Sequence, residues 1–225
     1  MNESVLIVGS GPGLSTSLAR LFSSKGLKVV LASRNIEKLN NLKKELNAET
    51  LACDSSNHES VLNLFKKVDK IIGTPNLVIY NASARPKKVP IYELIPAETQ
   101  KAINITCFGA FLVAQEAAKR MIDKKKGSIF FTGATAGVKG FPNSSAFAMG
   151  KFGLRGLAQS LARELHPKGI HIVHFIIDGG IGKESKGDHQ TINPDEIAKT
   201  YFQFYKQDKS AWAWEVELRT SMEKF

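Results

Sequence analysis

The sequence predicts an α/β fold built on a doubly wound parallel sheet with helices on both faces. Short aliphatic runs alternate with longer segments of helical apolar periodicity along all 225 residues, which is the pattern of strands joined by crossover helices. The first aliphatic run, residues 5–8, is continuous, as is typical of a parallel strand covered on both faces. No linker interrupts this pattern, so we expect one domain over residues 1–225.

Composition narrows the class of protein. Hydrophobic residues make up 43% of the chain and charged residues 23%, which is enough to build a full core. We find neither a leader-like first segment nor an apolar run of about 18 residues. We therefore expect a cytoplasmic protein without a membrane partner, in which Cys53 and Cys107 stay reduced.

The net charge of +10 raises the question of a nucleic-acid partner. Lysine and arginine are scattered along the chain, and no nucleic-acid motif accompanies them, so we expect no such partner. Strongly salt-dependent association with nucleic acid would contradict this expectation. The five histidines have no paired ligand spacing, and His171 and His174 lie in a predicted strand as packing residues. We therefore expect no metal site.

Four strands are predicted in the first half of the chain, at residues 4–8, 29–32, 50–53 and 77–80. Helices are predicted between them, at about residues 14–24 and 36–46 and around residues 61–68. Ser56 followed by Glu59 has the spacing of a capping box and predicts where the third helix begins. Tyr80, which ends the fourth strand, is expected to be a core residue whose hydroxyl is hydrogen-bonded.

The second half continues the alternation. Helices are predicted at about residues 97–121, 145–166 and 194–206, with Asn193 as the N-cap of the last one. Strands are predicted at residues 128–132, 171–177 and 214–218. The last of these alternates apolar and charged residues, which favours a strand at the sheet edge.

The turn after the first strand is the first candidate binding element. Gly9, Ser10, Gly11 and Gly13 connect this strand to the helix that begins at about Leu14. A helix N-terminus presents unpaired N–H groups and the positive end of the helix dipole, and glycine allows close approach to the backbone. The pattern therefore favours a phosphate-containing ligand at this turn.

The order of elements and several motifs resemble the short-chain dehydrogenase/reductase family along essentially the entire chain. The family's opening turn is Thr-Gly-x-x-x-Gly-x-Gly, in which Gly9 and Gly13 match, while Val8 and Ser15 replace the threonine and the last glycine. The resemblance implies a Rossmann-type sheet with strand order 3-2-1-4-5-6-7. It also implies a nicotinamide dinucleotide cofactor and assembly as a homodimer or homotetramer.

The resemblance also identifies four catalytic positions, two of which differ here. Asn104 and Lys151 match the family's asparagine and lysine. Phe147 stands four residues before Lys151, where the family has its tyrosine, and Ala134 stands at the serine position. The tyrosine donates a proton to the substrate carbonyl, and the serine holds the carbonyl oxygen. The chain therefore lacks two of the four reacting groups.

Other hydroxyl groups lie near these positions in the sequence. Thr135 adjoins Ala134, and Ser144 and Ser145 come just before Phe147. Thr135 is a candidate catalytic residue. The alternative is that it is an ordinary turn residue. Lys151 also has a second role in the family, which is to hold the nicotinamide ribose. Alternatively, Phe147 simply packs beside a structural lysine.

Cofactor choice follows from the end of the second strand. NAD binding usually places an acidic residue there, whereas this chain has Ser33 and Arg34, which suit a 2′-phosphate. We therefore expect NADP, with NAD less favoured, unless Arg34 is only a solvated residue. The resemblance assigns further cofactor contacts to Leu14, Asp54, Ser55, Asn81, Ala82, Ser83, Gly179 and Ile181.

The leading hypothesis is an NADP-dependent oxidoreductase with an incomplete active site. The alternative is a non-catalytic NADP-binding sensor or partner subunit that uses the same fold. Basic residues in two loops would draw an acidic small-molecule substrate, unless they are only solvated surface: Arg85, Lys87, Lys88, Lys183 and Lys186.

Overall fold

The computed structural model describes residues 3–182 and 191–222. Its strands are β1 Ser4–Val8, β2 Lys28–Ser33, β3 Glu49–Ala52, β4 Leu77–Tyr80, β5 Gly127–Thr132, β6 Ile170–Asp178, β7 Gly180–Ile181, β8 Thr191–Ile192 and β9 Glu215–Arg219. Its α-helices are α1 Leu14–Ser24, α2 Asn40–Leu46, α3 His58–Ile72, α4 Pro96–Ile103, α5 Gly109–Met121, α6 Ser145–Leu165 and α7 Pro194–Tyr205.

Seven strands form one sheet in the order β3-β2-β1-β4-β5-β6-β9, and every pairing in it is parallel. This confirms the predicted order, because β9 is the seventh strand of the main sheet and lies at its edge. The two-residue strands β7 and β8 pair separately. Since all seven strands run the same way, the loops that follow them meet at one edge of the sheet, where ligands bind in open α/β folds.

The sheet is covered on both faces by separate layers of helices. Alternate residues of β1 pack into different cores, with Leu6 and Val8 on the side of α3, α5 and α6 and Val5 and Ile7 on the side of α1 and α7. All five residues of β1 are buried for this reason. The continuous aliphatic run thus corresponds to a strand that is buried on both faces of the sheet, as the sequence predicts.

One local prediction is wrong, and a second gains a detail. Helix α3 is capped by Asn57, whose side chain accepts a hydrogen bond from the Ser60 N–H, and not by Ser56. The Ser56 hydroxyl is used elsewhere, because it donates to the Asp54 carboxylate. The helix predicted over residues 97–121 is present, and it contains a π-helical turn at Asn104–Phe108 between α4 and α5.

No helix within residues 3–182 and 191–222 is long and apolar enough to span a membrane.

Candidate functional site

The turn after β1 is built around Gly9. Its φ of +87° is unfavourable for other residues, and a Cβ atom there would lie 2.3 Å from the backbone nitrogen of Ala82. The N–H groups of Gly9 and Ser10 both donate to the Ala32 carbonyl at the end of β2. Gly9 is thus required for the chain to leave β1 between the ends of β2 and β4.

Ser15, which replaces the family's last glycine, ties this turn to β4. Its hydroxyl accepts a hydrogen bond of 2.7 Å from the Asn81 amide and donates to the Gly9 carbonyl at 3.1 Å. The Asn81 side chain therefore holds the glycine turn in place. Gly11 and Gly13 are open on their outer side, because no atom lies within 4 Å of the position of a Cβ.

A first cavity, of about 190 Å³, lies at the carboxyl ends of β1, β2, β3 and β4. Nine of the predicted cofactor residues line it: Gly9, Ser10, Ser33, Arg34, Asp54, Ser55, Asn81, Ala82 and Ser83. Of the other predicted contacts, Leu14 is only 5% exposed and packs into the core beneath α1. The Leu14 side chain is therefore a core residue, and its predicted contact with the cofactor stays a prediction.

Asp54 and Ser55 hold different parts of this cavity. The Asp54 carboxylate accepts hydrogen bonds from the hydroxyl and the N–H of Ser56, and these bonds hold its pKa below the usual value. The buried Tyr80 hydroxyl donates its one proton to the Ile105 carbonyl, and it is also hydrogen-bonded to the Ser55 hydroxyl. Burial raises the pKa of Tyr80. Tyr80 is thus a hydrogen-bonded core residue, as predicted.

A second cavity, of about 280 Å³, contains the positions that differ from the family. Ala134, Thr135 and Phe147 line it together with Asp178 and the predicted contact Gly179. Ser144 also lines this cavity, but Ser145 is not among its lining residues. Ile181, another predicted contact, is 42% exposed and lies outside it.

Lys151 lies beneath this cavity and does not line it. Its side chain is buried, and Nζ donates a hydrogen bond of 2.8 Å to the Thr132 carbonyl. Burial lowers the pKa of Lys151 from 10.5 to about 7, because a charged amine loses hydration there. The Phe147 ring lies 5.8 Å from Nζ on one side and 5.2 Å from the Arg85 guanidinium carbon on another.

Thr135 makes a contact that the sequence analysis missed. Its hydroxyl donates a short hydrogen bond to Oδ1 of Asp178, although the two residues are 43 positions apart. The other carboxylate oxygen of Asp178 lies 3.2 Å from a guanidinium nitrogen of Arg219. Asp178 and Arg219 are partners in the β6–β9 register. The available signal was an acidic residue at the end of β6, where the family usually has proline.

Asn104 begins the π-helical turn between α4 and α5. Its carbonyl accepts from the N–H of Gly109, five residues later. Such turns are frequent at functional sites. Gly109 packs against Ser55, which lines the first cavity, because a Cβ at Gly109 would lie 2.6 Å from the Ser55 carbonyl oxygen.

The loop after β4 brings basic residues to the second cavity. Arg85 and Lys88 line it, while Lys87 lies in the same loop and is exposed. The Ala84 N–H in this loop donates to the Thr106 hydroxyl in the π-helical turn. Lys183 and Lys186, the other predicted basic residues, lie outside the described residues.

The histidines of β6 are packing residues, as predicted. His171 stacks on Trp212 at 4.6 Å, and His174 is hydrogen-bonded to Glu215. Burial lowers the pKa of each to about 4, so both are neutral at pH 7. Over the described part of the chain, no group of three or more His, Cys, Asp or Glu side chains has a metal-binding arrangement.

Comparisons with known proteins place this geometry in a family. The sequence matches the short chain dehydrogenase family over residues 3–186. It is 30% identical over 218 residues to sorbitol-6-phosphate 2-dehydrogenase of Escherichia coli, covering 89% of this chain and 83% of that protein.

Solved structures agree with this match. A short-chain dehydrogenase from Rhodopseudomonas palustris has a TM-score of 0.85 and 34% identity, covering 96% of this chain and 98% of that one. A metagenomic short-chain oxidoreductase in complex with NADP has a TM-score of 0.85 and 27% identity, covering 97% and 98%. The chain therefore belongs to the short-chain dehydrogenase/reductase family of oxidoreductases.

Proposed function

We propose that this protein is an NADP-dependent oxidoreductase that interconverts an alcohol and a carbonyl on an anionic small molecule, without the family's tyrosine and serine. The first cavity carries this proposal, since it joins the glycine turn to Ser33 and Arg34. A guanidinium beside a hydroxyl suits a 2′-phosphate, whereas an acidic residue would repel it. The 27% identical structure that contains NADP supports the same choice.

The residues present fit a dinucleotide. The outer side of the turn is open at Gly11 and Gly13, and no side chain of the first turn of α1 is acidic, so no negative charge opposes a phosphate at the backbone N–H groups there. In this proposal Arg34 holds the 2′-phosphate, and Asp54 and Asn81 border the adenosine half. Exchange of a hydride with carbon is the chemistry that a bound nicotinamide supplies.

The second cavity is the proposed substrate site. Arg85 and Lys88 line it and favour an anionic substrate. The sugar phosphate in the name of the 30% identical relative has this charge, so sorbitol 6-phosphate is a suitable first probe. Asn104 and Lys151 remain as the family's matching groups, and Lys151 acts from below by holding the end of β5 through the Thr132 carbonyl.

Self-association is part of the proposal. A groove of about 330 Å³ runs between α5 and α6, and its lining is mostly apolar, including Phe111, Ala118 and Leu161. Two copies that met on this groove would cover the exposed Phe111 ring. Sedimentation of the wild type and of Leu161→Glu tests this, because a charge in the groove is expected to yield monomers.

Calorimetric titration with NADPH and NADH tests the cofactor choice. We expect NADPH to bind more tightly, and Arg34→Gln to weaken NADPH binding by about 10- to 100-fold while changing NADH little. Lys38→Gln is the matched control, because Lys38 is exposed and does not line the cavity. Absence of binding by either dinucleotide would refute the proposal and favour a scaffold role for the fold.

A further inference from the structure

The second cavity contains a hydroxyl and a carboxylate that are already hydrogen-bonded to each other. Thr135 is half-buried and lines the cavity, and its hydroxyl proton is donated to Oδ1 of Asp178. Asp178 is 8% exposed and lines the same cavity. A threonine hydroxyl has one proton and two lone pairs. With its proton committed to Asp178, the Thr135 oxygen is left as an acceptor.

This orientation suits an alcohol more than a carbonyl. A substrate hydroxyl can donate to the Thr135 oxygen, whereas a carbonyl oxygen has no proton to donate. Phe147, which stands at the family's tyrosine position, cannot accept this proton because its side chain has no polar atom. Ala134 likewise offers no hydroxyl at the family's serine position. Thr135 is therefore the hydroxyl in this cavity that is already coupled to a proton acceptor.

We propose that Thr135 and Asp178 form a two-residue proton relay that replaces the missing tyrosine, with Thr135 touching the substrate and Asp178 receiving the proton through it. The inference rests on the proposed function, because it concerns the same oxidoreduction. Thr135 is the catalytic residue in this relay. Asp178 is a positioning residue and the final proton acceptor.

The step balances for an alcohol substrate. The substrate O–H bond breaks, and its proton binds the Thr135 oxygen while the original Thr135 proton moves to Asp178. The electron pair of the broken O–H bond forms the second bond of the carbonyl as a hydride leaves the carbinol carbon for the oxidised dinucleotide. Reduction of a carbonyl uses the reverse order, starting from a protonated Asp178.

Asp178 is held at both of its carboxylate oxygens. Arg219 lies 3.2 Å from the second oxygen and also pairs with Glu217, while the Thr135 hydroxyl donates to Oδ1. Arg85 and Lys88 line the same cavity. These contacts fix the orientation of the carboxylate toward Thr135.

The test is a double-substitution cycle read out in two ways. Thr135→Val, Asp178→Asn and the double variant are compared with the wild type, and Thr135→Ser is the control that keeps the hydroxyl. The first readout is kcat for NADP-dependent oxidation of a panel of sorbitol 6-phosphate, unphosphorylated sorbitol and a 3-hydroxyacyl thioester. The second readout is urea unfolding and NADPH affinity of each variant.

A relay makes the two residues act as one unit. We expect each single variant to lower kcat by about 10²-fold or more, the double variant to fall no further, and Thr135→Ser to stay within a few-fold of the wild type. NADPH affinity is expected to stay unchanged. The unfolding free energies of the cycle are expected to show coupling, because the two side chains are in direct contact.

Different outcomes overturn different parts. An active wild type with an equally active Thr135→Val variant overturns the relay alone. If the losses in kcat of the two single variants multiply in the double variant, the two residues act independently and the relay is overturned. If NADPH affinity falls in parallel with kcat, the effect is structural and the relay is also overturned. A wild type that binds NADPH but oxidises no member of the panel counts against the oxidoreductase proposal and the relay together.

Discussion

Replacement of the buried lysine by an apolar side chain of similar length is expected to stabilise the protein at neutral pH. Lys151 has a pKa of about 7, against 10.5 for an ordinary lysine. Keeping this amine partly neutral at pH 7 lowers the free energy of unfolding by about 4 kcal/mol, and at pH 9 by about 2 kcal/mol. Lys151→Met removes this penalty.

The same substitution also loses a hydrogen bond. Nζ of Lys151 donates to the Thr132 carbonyl at 2.8 Å, and leaving that carbonyl without the bond costs about 1–3 kcal/mol. We therefore expect Lys151→Met to gain about 1–3 kcal/mol of stability at pH 7. The gain shrinks as pH rises, because the unfolded lysine releases its proton and the two states bind equal numbers of protons above pH 10.5.

Urea unfolding of the ligand-free protein at pH 7 and pH 9 measures both effects. Between these pH values the wild type is expected to gain about 2 kcal/mol relative to Lys151→Met. Lys38→Met is the control, because Lys38 is exposed, and it should keep the pH dependence of the wild type. Parallel pH dependence in the wild type and Lys151→Met would refute the reasoning that burial holds this amine neutral.

Three further predictions follow from specific contacts. Gly9→Ala adds a Cβ at φ +87° against the backbone after β4. It should lower the free energy of unfolding by about 2 kcal/mol or more and abolish NADPH binding in calorimetry. The control Gly11→Ala should change the free energy of unfolding by less than about 1 kcal/mol. Phe147→Tyr combined with Ala134→Ser should raise NADPH-dependent carbonyl reduction by about 10²- to 10⁴-fold, and no gain on any carbonyl would argue against a relic reductase pocket. Arg155→Met removes two hydrogen bonds of 2.7 Å between α6 and β9 and should lower the free energy of unfolding by about 1–2 kcal/mol in urea titrations.

The strands were predictable because the sheet is buried on both faces. A run such as residues 5–8 has no polar position, so its length and flanking glycines identify a strand without further information. The hydrogen bonds that form the turns and helix caps were harder to predict. Asp54 accepts the N–H and the hydroxyl of Ser56, and Asn57 accepts the Ser60 N–H, so that Asn57 and not Ser56 caps α3.

The interruption at Asn104 was not predictable from apolar periodicity. A π-helical turn adds one residue to a single turn, and helical periodicity continues on both sides of it. The turn is followed by Gly109, where an added Cβ would lie 2.5 Å from the Tyr80 hydroxyl oxygen and 2.6 Å from the Ser55 carbonyl oxygen. No residue within the helix indicates this contact at the level of the sequence.

The candidate site likewise has one part that the sequence predicts and one part that it does not. The nine residues of the first cavity follow strands whose ends necessarily meet at one edge of a parallel sheet, so the sequence order was sufficient to place them together. The Thr135–Asp178 contact depends on how the loop after β5 folds beside the end of β6. Loop conformation of this kind is not set by periodicity.

Phenylalanine at position 147 and the burial of Lys151 are connected. In the family, the lysine ammonium lowers the pKa of the neighbouring tyrosine hydroxyl, which requires a charged amine close to a polar group. Here the ring beside Lys151 has no hydroxyl, the cavity does not reach the amine, and the pKa of Lys151 falls to about 7. The use of a charged amine to activate a tyrosine is therefore absent at this position. The lysine keeps its bond to the Thr132 carbonyl, and the relay proposed above assigns proton transfer in the cavity to Thr135 and Asp178.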